Sequence, residues 1–290
     1  MNEGNGSQRS SLGLIFTFLL VFVLPLALGV YFGPRFVPTP KVGVIRLNYE
    51  IFDLSAFEFT EQMAYARQDP AIKSVVIIMN SPGGSAAYSE EMYLDVLKTR
   101  EQMPVLASID LLAASGAYYT AAGANEIYAK PTSIVGSIGV ISAFPSQPFV
   151  DRELLTTGPY KAFGYTRDAA LRQAEQAKFA FLEAVLNGRG DRLLVGPEFL
   201  SRAEIYTGIQ ALNMGLIDGL FSTEEVLDRA AELAGLRDYE VVELYPLAFP
   251  DEENGAQVAY RPEAVDPHRL WANPVNLAPG LYFRFADLSR

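Results

Sequence analysis

The residues best suited to chemistry in this chain are Ala113-Ala114-Ser115-Gly116-Ala117-Tyr118-Tyr119, a serine set in a run of small side chains. A serine hydroxyl becomes a useful nucleophile only when a base takes its proton. Histidine, the usual base, occurs once, as His268 in a Pro-rich tail, so a Ser-His-Asp relay would need that tail to fold back over the core. A lysine is the indicated partner, because a desolvated amine replaces histidine in a known variant of the triad. Two further junctions carry glycine: Asn80-Ser81-Pro82-Gly83-Gly84-Ser85 and Val135-Gly136-Ser137-Ile138-Gly139-Val140. Acyl transfer passes through a tetrahedral oxyanion that fixed backbone amides stabilise best, and Gly83-Gly84 and Ser115-Gly116 are suitable donors. Taken singly, a Pro-Gly-Gly turn or a serine among alanines is ordinary; the combination is what points to a site.

Composition narrows the chemistry. Of the 290 residues none is cysteine, which removes disulfides, thiolate nucleophiles and cysteine-based zinc sites. One histidine leaves no histidine-rich metal site, and neither metal nor cofactor is expected. A formal charge of -11 without a basic cluster argues against nucleic acid as a partner. Half the residues are hydrophobic, enough for one substantial core with appendages.

The elements that must position these groups follow in order. Residues 1–11 form a short polar start. From Leu12 to Val30 every residue is apolar, Gly, Thr or Pro, close to the roughly 20 residues that cross a hydrocarbon core as a helix. A cleavable signal peptide ending at Ala27-Leu28-Gly29 competes with a retained anchor. The run exceeds the ~7–15 residues of a signal-peptide apolar region, which favours a transmembrane anchor over 12–33. Prolines at 34, 38 and 40 make residues 34–40 a stiff linker. A soluble domain then spans 41–245, with a tail over 246–290.

Within that domain, Lys41 to Leu47 reads as a strand and Ser55 to Gln68 as a helix. Ser74 to Met79 is a largely β-branched run of the kind a strand covered on both faces carries. A helix over Ser89 to Glu101, a strand over Val105 to Ile109, a turn over Leu111 to Ser115 and a small-residue helix over Gly116 to Ala124 follow. Glu126 to Ala129 is a third strand. This alternation predicts an α/β fold with a parallel sheet, whose sites form where strands end and helices begin. Asp168 to Leu186 reads as a helix with Leu171, Ala174, Ala177, Phe181, Leu182 and Val185 on one face. Short helices are expected over Glu198 to Ile205, Thr207 to Met214 and Thr223 to Ala234, and a short strand over Pro279 to Phe285.

The three glycine junctions, together with Ile205-Tyr206-Thr207-Gly208, Gln210-Ala211 and Gly215-Leu216-Ile217-Asp218, resemble the signal peptide peptidase A family in its short, single-repeat form. The resemblance covers about residues 41 to 220. It implies a ClpP/crotonase-like fold of parallel-sheet ββα units and a membrane-anchored Ser-Lys protease. Residue by residue it implies Ser115 as nucleophile and Lys161, within Thr157-Gly158-Pro159-Tyr160-Lys161, as general base. It further implies Ser137 as the residue that holds the lysine amine, and the amides of Gly84 and Gly116 as oxyanion donors. Ala117 and Ala162 depart from the family pattern, which often has a second glycine and an acidic residue there. The resemblance also implies a homo-oligomeric ring whose subunits complete one another's sites, with the catalytic domain on the non-cytoplasmic side of the cell membrane. Hydrophobic peptides such as cleaved signal peptides are the implied substrates.

An ordinary lysine has a pKa near 10.4, so a base at this position must be buried, where desolvation lowers the pKa by roughly 3–5 units. Lys130, just before Pro131, and Lys178, within a helix, are poorer candidates because solvated positions are expected for both. Three alternatives stand beside the protease reading. They are a membrane protease with one specific membrane-protein substrate, a crotonase-like acyl-CoA enzyme that uses paired amides for a thioester enolate, and an inactive scaffold.

Overall fold

The computed structural model describes residues 11–36, 39–143, 157–158, 160–161, 164–250 and 280–284. His268, Ala162 and most of the stretch 246–290 lie outside them. The chain divides into two compact units, Met1–Pro40 and Lys41–Arg290.

The first unit is a helical run in three pieces: α1 (Ser11–Phe18), a π-helical turn (Leu19–Val23) and α2 (Leu24–Phe36). Its apolar side chains are exposed, Phe16, Leu26 and Val30 each by about two thirds (66%, 68% and 69%). The apolar run expected as one transmembrane helix over 12–33 is helical in three pieces, and no single helix among the described residues is long and apolar enough to cross a membrane. The division has a local cause. Pro25 has no amide to offer the preceding turn, and the amide of Leu24 reaches back to the carbonyl of Leu19, five residues away, as a π turn does.

The second unit follows the order β1 (Lys41–Leu47), α3 (Asp53–Gln68), β2 (Ile72–Ser81), β3 (Gly83–Ser85), α4 (Ala86–Arg100), β4 (Val105–Ala114), α5 (Gly116–Ala122), β5 (Glu126–Ala129), β6 (Ile134–Gly136) and β7 (Ile141–Ala143). It continues with α6 (Arg167–Arg189), α7 (Pro197–Leu200), β8 (Ile205–Thr207), α8 (Gly208–Asn213), β9 (Gly219–Leu220), α9 (Thr223–Leu233), β10 (Glu240–Glu243), α10 (Tyr245–Ala248) and β11 (Gly280–Arg284). The main sheet runs β10-β1-β2-β4-β5-β9, all parallel. β4 is long enough for two neighbours on one side: β5 pairs with its first half and β6 with its last three residues. β8 runs antiparallel to β6.

Both faces of the sheet are covered, which is why its central strands read as unbroken apolar runs. Along β2, Val75, Ile77 and Met79 enter the larger core beside α3, α4 and α5, while Val76 and Ile78 enter a second core against α9. Three expectations need correction. The turn foreseen at Leu111–Ser115 is strand, since β4 continues to Ala114 after a bulge that swings Asp110 and Leu111 outward. The helix foreseen to Ile205 stops at Leu200, and Ala203 at φ +56° turns the chain into β8. On α6, Leu171 lies outside the buried face formed by Ala170, Phe181, Leu182, Ala184 and Val185.

A buried ion pair locks α6 to the end of the sheet. The Arg189 side chain is 1% exposed and donates two hydrogen bonds to the Asp218 carboxylate, both 2.8 Å, and one to the Gly215 carbonyl, 2.8 Å. Asp218 also accepts from the Ile127 amide and from Arg192. The neighbouring Leu216 carbonyl accepts from the hydroxyl of Tyr118 at 2.7 Å, tying this loop to α5. Gly188 on α6 packs so closely on α5 that a methyl group there would sit 2.0 Å from the Ala122 carbonyl oxygen. Burial alone would raise the Asp218 pKa, but the hydrogen bonds and charge of Arg189 outweigh it and the net direction is down.

Replacing Arg189 by Met strands a buried carboxylate and should cost about 3 kcal/mol of stability at neutral pH, the low end for a broken buried pair because Arg192 remains. A carboxyl with a lowered native pKa stabilises the fold above its unfolded pKa, and that contribution is lost as pH falls through the native value. Urea unfolding of both proteins should therefore show the deficit shrinking from about pH 5 toward about pH 2. A deficit independent of pH would disconnect it from Asp218.

Candidate functional site

The parallel register brings the three glycine junctions side by side. Ser81 of β2 is opposite Ala113 of β4, Ala113 is opposite Val135 of β6, and Ala114 is opposite Gly136. Gly83-Gly84, Ser115-Gly116 and Ser137 therefore leave three adjacent strands at one level of the sheet. β6 is in turn backed by β8, with Val135 opposite Tyr206.

Ser115 stands between β4 and α5 with φ +55° and ψ -123°, a backbone region that glycine favours. Its amide donates to the Gly136 carbonyl at 2.8 Å and its carbonyl accepts from the Tyr119 amide at 2.9 Å, so the conformation is held from both sides. The side chain is fully buried, and its hydroxyl has no hydrogen-bond partner among the described residues. An unpartnered buried hydroxyl and a positive φ on a residue with a side chain each cost free energy. Such costs persist where surrounding structure enforces them, and they cluster at functional sites.

Ser137 shows the same backbone feature, at φ +53°, and is 6% exposed. Its amide donates to the Glu204 carbonyl at 2.8 Å. The preceding Gly136, at φ +117°, leaves no room for a side chain, since a methyl group would sit 2.7 Å from the Glu204 carbonyl oxygen. Gly84 is held as tightly. Ile51 donates its amide to the Gly83 carbonyl at 2.8 Å and accepts the Ser85 amide at 2.9 Å, and a methyl group on Gly84 would lie 2.0 Å from the Ile51 carbonyl oxygen. Because Gly83 and Ser85 both turn toward Ile51, the amide of the residue between them, Gly84, turns the other way. Gly116 opens α5 directly after Ser115.

The structure thus gathers Ser115, Gly116, Ser137 and Gly84. It does not join Lys161 to them. Lys161 is exposed, its amide bonded to the Gly158 carbonyl at 3.1 Å, and no hydrogen bond links it to the Ser115 hydroxyl. The burial a lysine base requires is not provided around Lys161, where Tyr160 is exposed as well. The other two lysines weighed as bases are engaged by carboxylates, Lys130 by Asp110 and Lys178 by Glu175. Among the described residues no group of three or more His, Cys, Asp or Glu side chains is placed to hold a metal ion.

Two contributors carried no legible role in the sequence. Ile51, in an irregular stretch, braces Gly83 to Ser85 through its backbone alone, and backbone contacts leave no residue-type signature. Tyr206 sits in a recognisable motif, yet its part is visible only in three dimensions. Its ring packs along Gly136 and stacks on Phe199, and its hydroxyl is buried with no partner among the described residues. Burial, then the nearby Glu204 charge, raises the pKa of that hydroxyl.

Residues 98–237, which include Ser115, Ser137 and Lys161, match the model of peptidase family S49. A Synechocystis protein, slr0021, which carries a protease name, is 32% identical over 212 residues, covering 68% of this chain and 73% of its own. The chain belongs to peptidase family S49. Other relatives of this S49 peptidase include a protein of Enterococcus faecium named for signal peptide peptidase SppA and Protease 4 of Salmonella typhi. The first is 30% identical over 64% of this chain and 58% of its own length. The second is 29% identical over 61% of this chain and 31% of its own length. The chain therefore spans less than two thirds of either of these two. Among solved structures, the 1510-N membrane-bound stomatin-specific protease shares the fold, with a TM-score of 0.53 at 18% identity over 71% of this chain and 98% of that one.

Relieving the strain at the serine should stabilise the protein. Ser115→Gly is expected to raise the melting temperature by about 2–4 °C, from roughly 1 kcal/mol of recovered strain. Ser115→Ala, which removes only the unpartnered hydroxyl, should gain less. Gly84→Ala forces Ile51 aside and should lose about 1–3 kcal/mol. Thermal melts of the three variants check the order, and a Ser115→Gly protein melting below the parent would refute the strain argument.

Proposed function

We propose that this family S49 chain is a membrane-associated serine endopeptidase in which Ser115 is the nucleophile and Lys161 the general base. The observation that carries the reading is the buried, unpartnered Ser115 hydroxyl, held at a strained helix start between the junctions that bear Gly84 and Ser137. In this mechanism the neutral Lys161 amine takes the hydroxyl proton as the serine oxygen attacks a peptide carbonyl. The amides of Gly84 and Gly116 receive the oxyanion, and the lysine proton passes to the leaving amine. Water then repeats the sequence on the acyl-enzyme. Ser137 orients the amine.

A base must be desolvated, and Lys161 is exposed on its own chain. A second copy of the chain is the covering surface we assign, so that each site is assembled from two subunits of a homo-oligomeric ring. The apolar run 12–33 seats the protein in a membrane, with the peptidase unit on the non-cytoplasmic side. Substrates are extended hydrophobic peptides, cleaved signal peptides among them. The name of the Enterococcus faecium relative supports that choice.

The test is peptidase activity of the full chain, in detergent, on a hydrophobic fluorogenic peptide. Ser115→Ala and Lys161→Ala should each lower kcat by about a thousandfold or more, in the range that loss of an essential triad member produces. Mixing the two inactive proteins after subunit exchange should restore part of the activity. Full activity in the Lys161→Ala protein would remove the lysine from the mechanism. Inactive single variants that never complement would place both groups in one chain.

A further inference from the structure

The first turn of α5 lacks the cap that its sequence offers. A serine directly before a helix ordinarily takes extended angles and turns its hydroxyl onto the amide of the second or third helical residue. Ser115 holds that place, yet at φ +55° and ψ -123° its hydroxyl makes no capping bond and has no partner among the described residues. The difference bears on chemistry, because a hydroxyl oxygen engaged by a backbone amide has one lone pair fewer to offer a peptide carbonyl. Relaxing to the ordinary cap would take Ser115 to negative φ and swing the start of α5. Resistance to that swing must come from outside, since a helix of seven residues has little rigidity of its own.

Tyr118, the third residue of α5, is the handle. Its side chain is fully buried, and its hydroxyl donates to the Leu216 carbonyl at 2.7 Å, 98 positions along the chain. Gly116, Ala117, Ala121 and Ala122 have no polar side chain to offer, and the Thr120 hydroxyl turns back onto the Gly116 carbonyl of its own helix at 3.1 Å. The receiving loop is itself pinned. The Leu216 amide donates to the Ala211 carbonyl at 2.9 Å, and the Asp218 amide donates to the Ile127 carbonyl at 2.7 Å. The Gly215 carbonyl and the Asp218 carboxylate both accept from the Arg189 guanidinium. Gly215 leaves no slack, because a methyl group there would sit 1.8 Å from the Arg192 carbonyl oxygen. Burial above all raises the pKa of the Tyr118 phenol, so it keeps the proton it donates.

We propose that Tyr118 is a positioning residue for the peptidase reaction. Through Leu216 it fixes the start of α5, keeps Ser115 out of the ordinary cap conformation, and so leaves the Ser115 hydroxyl free and the Gly116 amide in place as oxyanion donor. This deepens the peptidase reading and rests on it for the use made of the hydroxyl. The mechanical coupling of Tyr118 to Ser115 stands apart from it.

The experiment is a double-mutant cycle in the full chain, read by thermal melts and by hydrolysis of a hydrophobic fluorogenic peptide. Tyr118→Phe removes one oxygen and keeps the ring. Ser115→Gly should raise the melting temperature of the parent by about 2–4 °C, and that of Tyr118→Phe by about half as much or less, because the strain has already relaxed there. Tyr118→Phe should lower kcat about tenfold or more with KM within about twofold, as loss of an interaction realised at the transition state does. Thr120→Val removes a hydroxyl from the same helix without touching the loop, and should keep both the Ser115→Gly gain and the parent's kcat. Additive melting shifts overturn the proposal, as does a Tyr118→Phe protein with the parent's kcat. A parent that gains nothing from Ser115→Gly holds no strain for Tyr118 to maintain, and overturns it too. If Tyr118→Phe does not fold by circular dichroism, Arg189→Lys, which keeps the charge beside Asp218 but loses the paired bonds, replaces it in the cycle: coupling supports the tether and additivity overturns it. Coupled melts in a chain that cleaves nothing support the tether and defeat the peptidase reading instead.

Discussion

The register of β4 against its neighbours is the constraint on which the site depends. β2, β4 and β6 end at one level because Ser81, Ala113 and Val135 pair across the sheet, so the residues that follow each strand are brought together without any side chain recruiting another. Parallel strands buried on both faces fix such a register strongly, since a slip of one residue would exchange the two apolar faces. The bulge at Asp110 and Leu111 belongs to the same device. It absorbs two residues of β4 and lets Ala113 and Ala114 reach β6.

Around that register the structure accepts local cost. Ser115 and Ser137 both hold positive φ, and the Ser115 hydroxyl is buried without a partner. What enforces these states is backbone: the Gly136 carbonyl on the Ser115 amide and the Glu204 carbonyl on the Ser137 amide. The glycines beside them serve the same end, because at 84 and 136 a neighbouring carbonyl occupies the space a side chain would need. The distant support is ionic. Arg189 and Asp218 hold the loop whose Leu216 carbonyl fixes Tyr118, three residues after Ser115 in the helix that follows it.

The two halves of the expected catalytic pair stand differently. The serine is complete in its own chain, in conformation and in surroundings. The lysine is exposed, so the desolvation a general base needs is not supplied by its own chain. An assembled site would make activity depend on association.

Much of the fold was legible in the residues. Strand and helix periodicity places β1, β2, β5, α5 and α9 within a few residues of where they lie, because both faces of the sheet demand apolar side chains and the turns demand glycine and proline. The motifs at 80–85, 114–119 and 135–140 marked the candidate site for a related reason: at Gly84 and Gly136 the neighbouring backbone leaves no room for a side chain. Sequence alone did not give the end of β4, which reads as a turn and is strand, since a bulge is decided by partners far along the chain. Nor did it give Ile51 and Glu204, which act through backbone groups that every residue carries. The seating of residues 280–284 against Gly84 was likewise decided in three dimensions. Local pattern determines which residues can adopt a conformation, and tertiary packing alone determines which backbone amides and carbonyls meet.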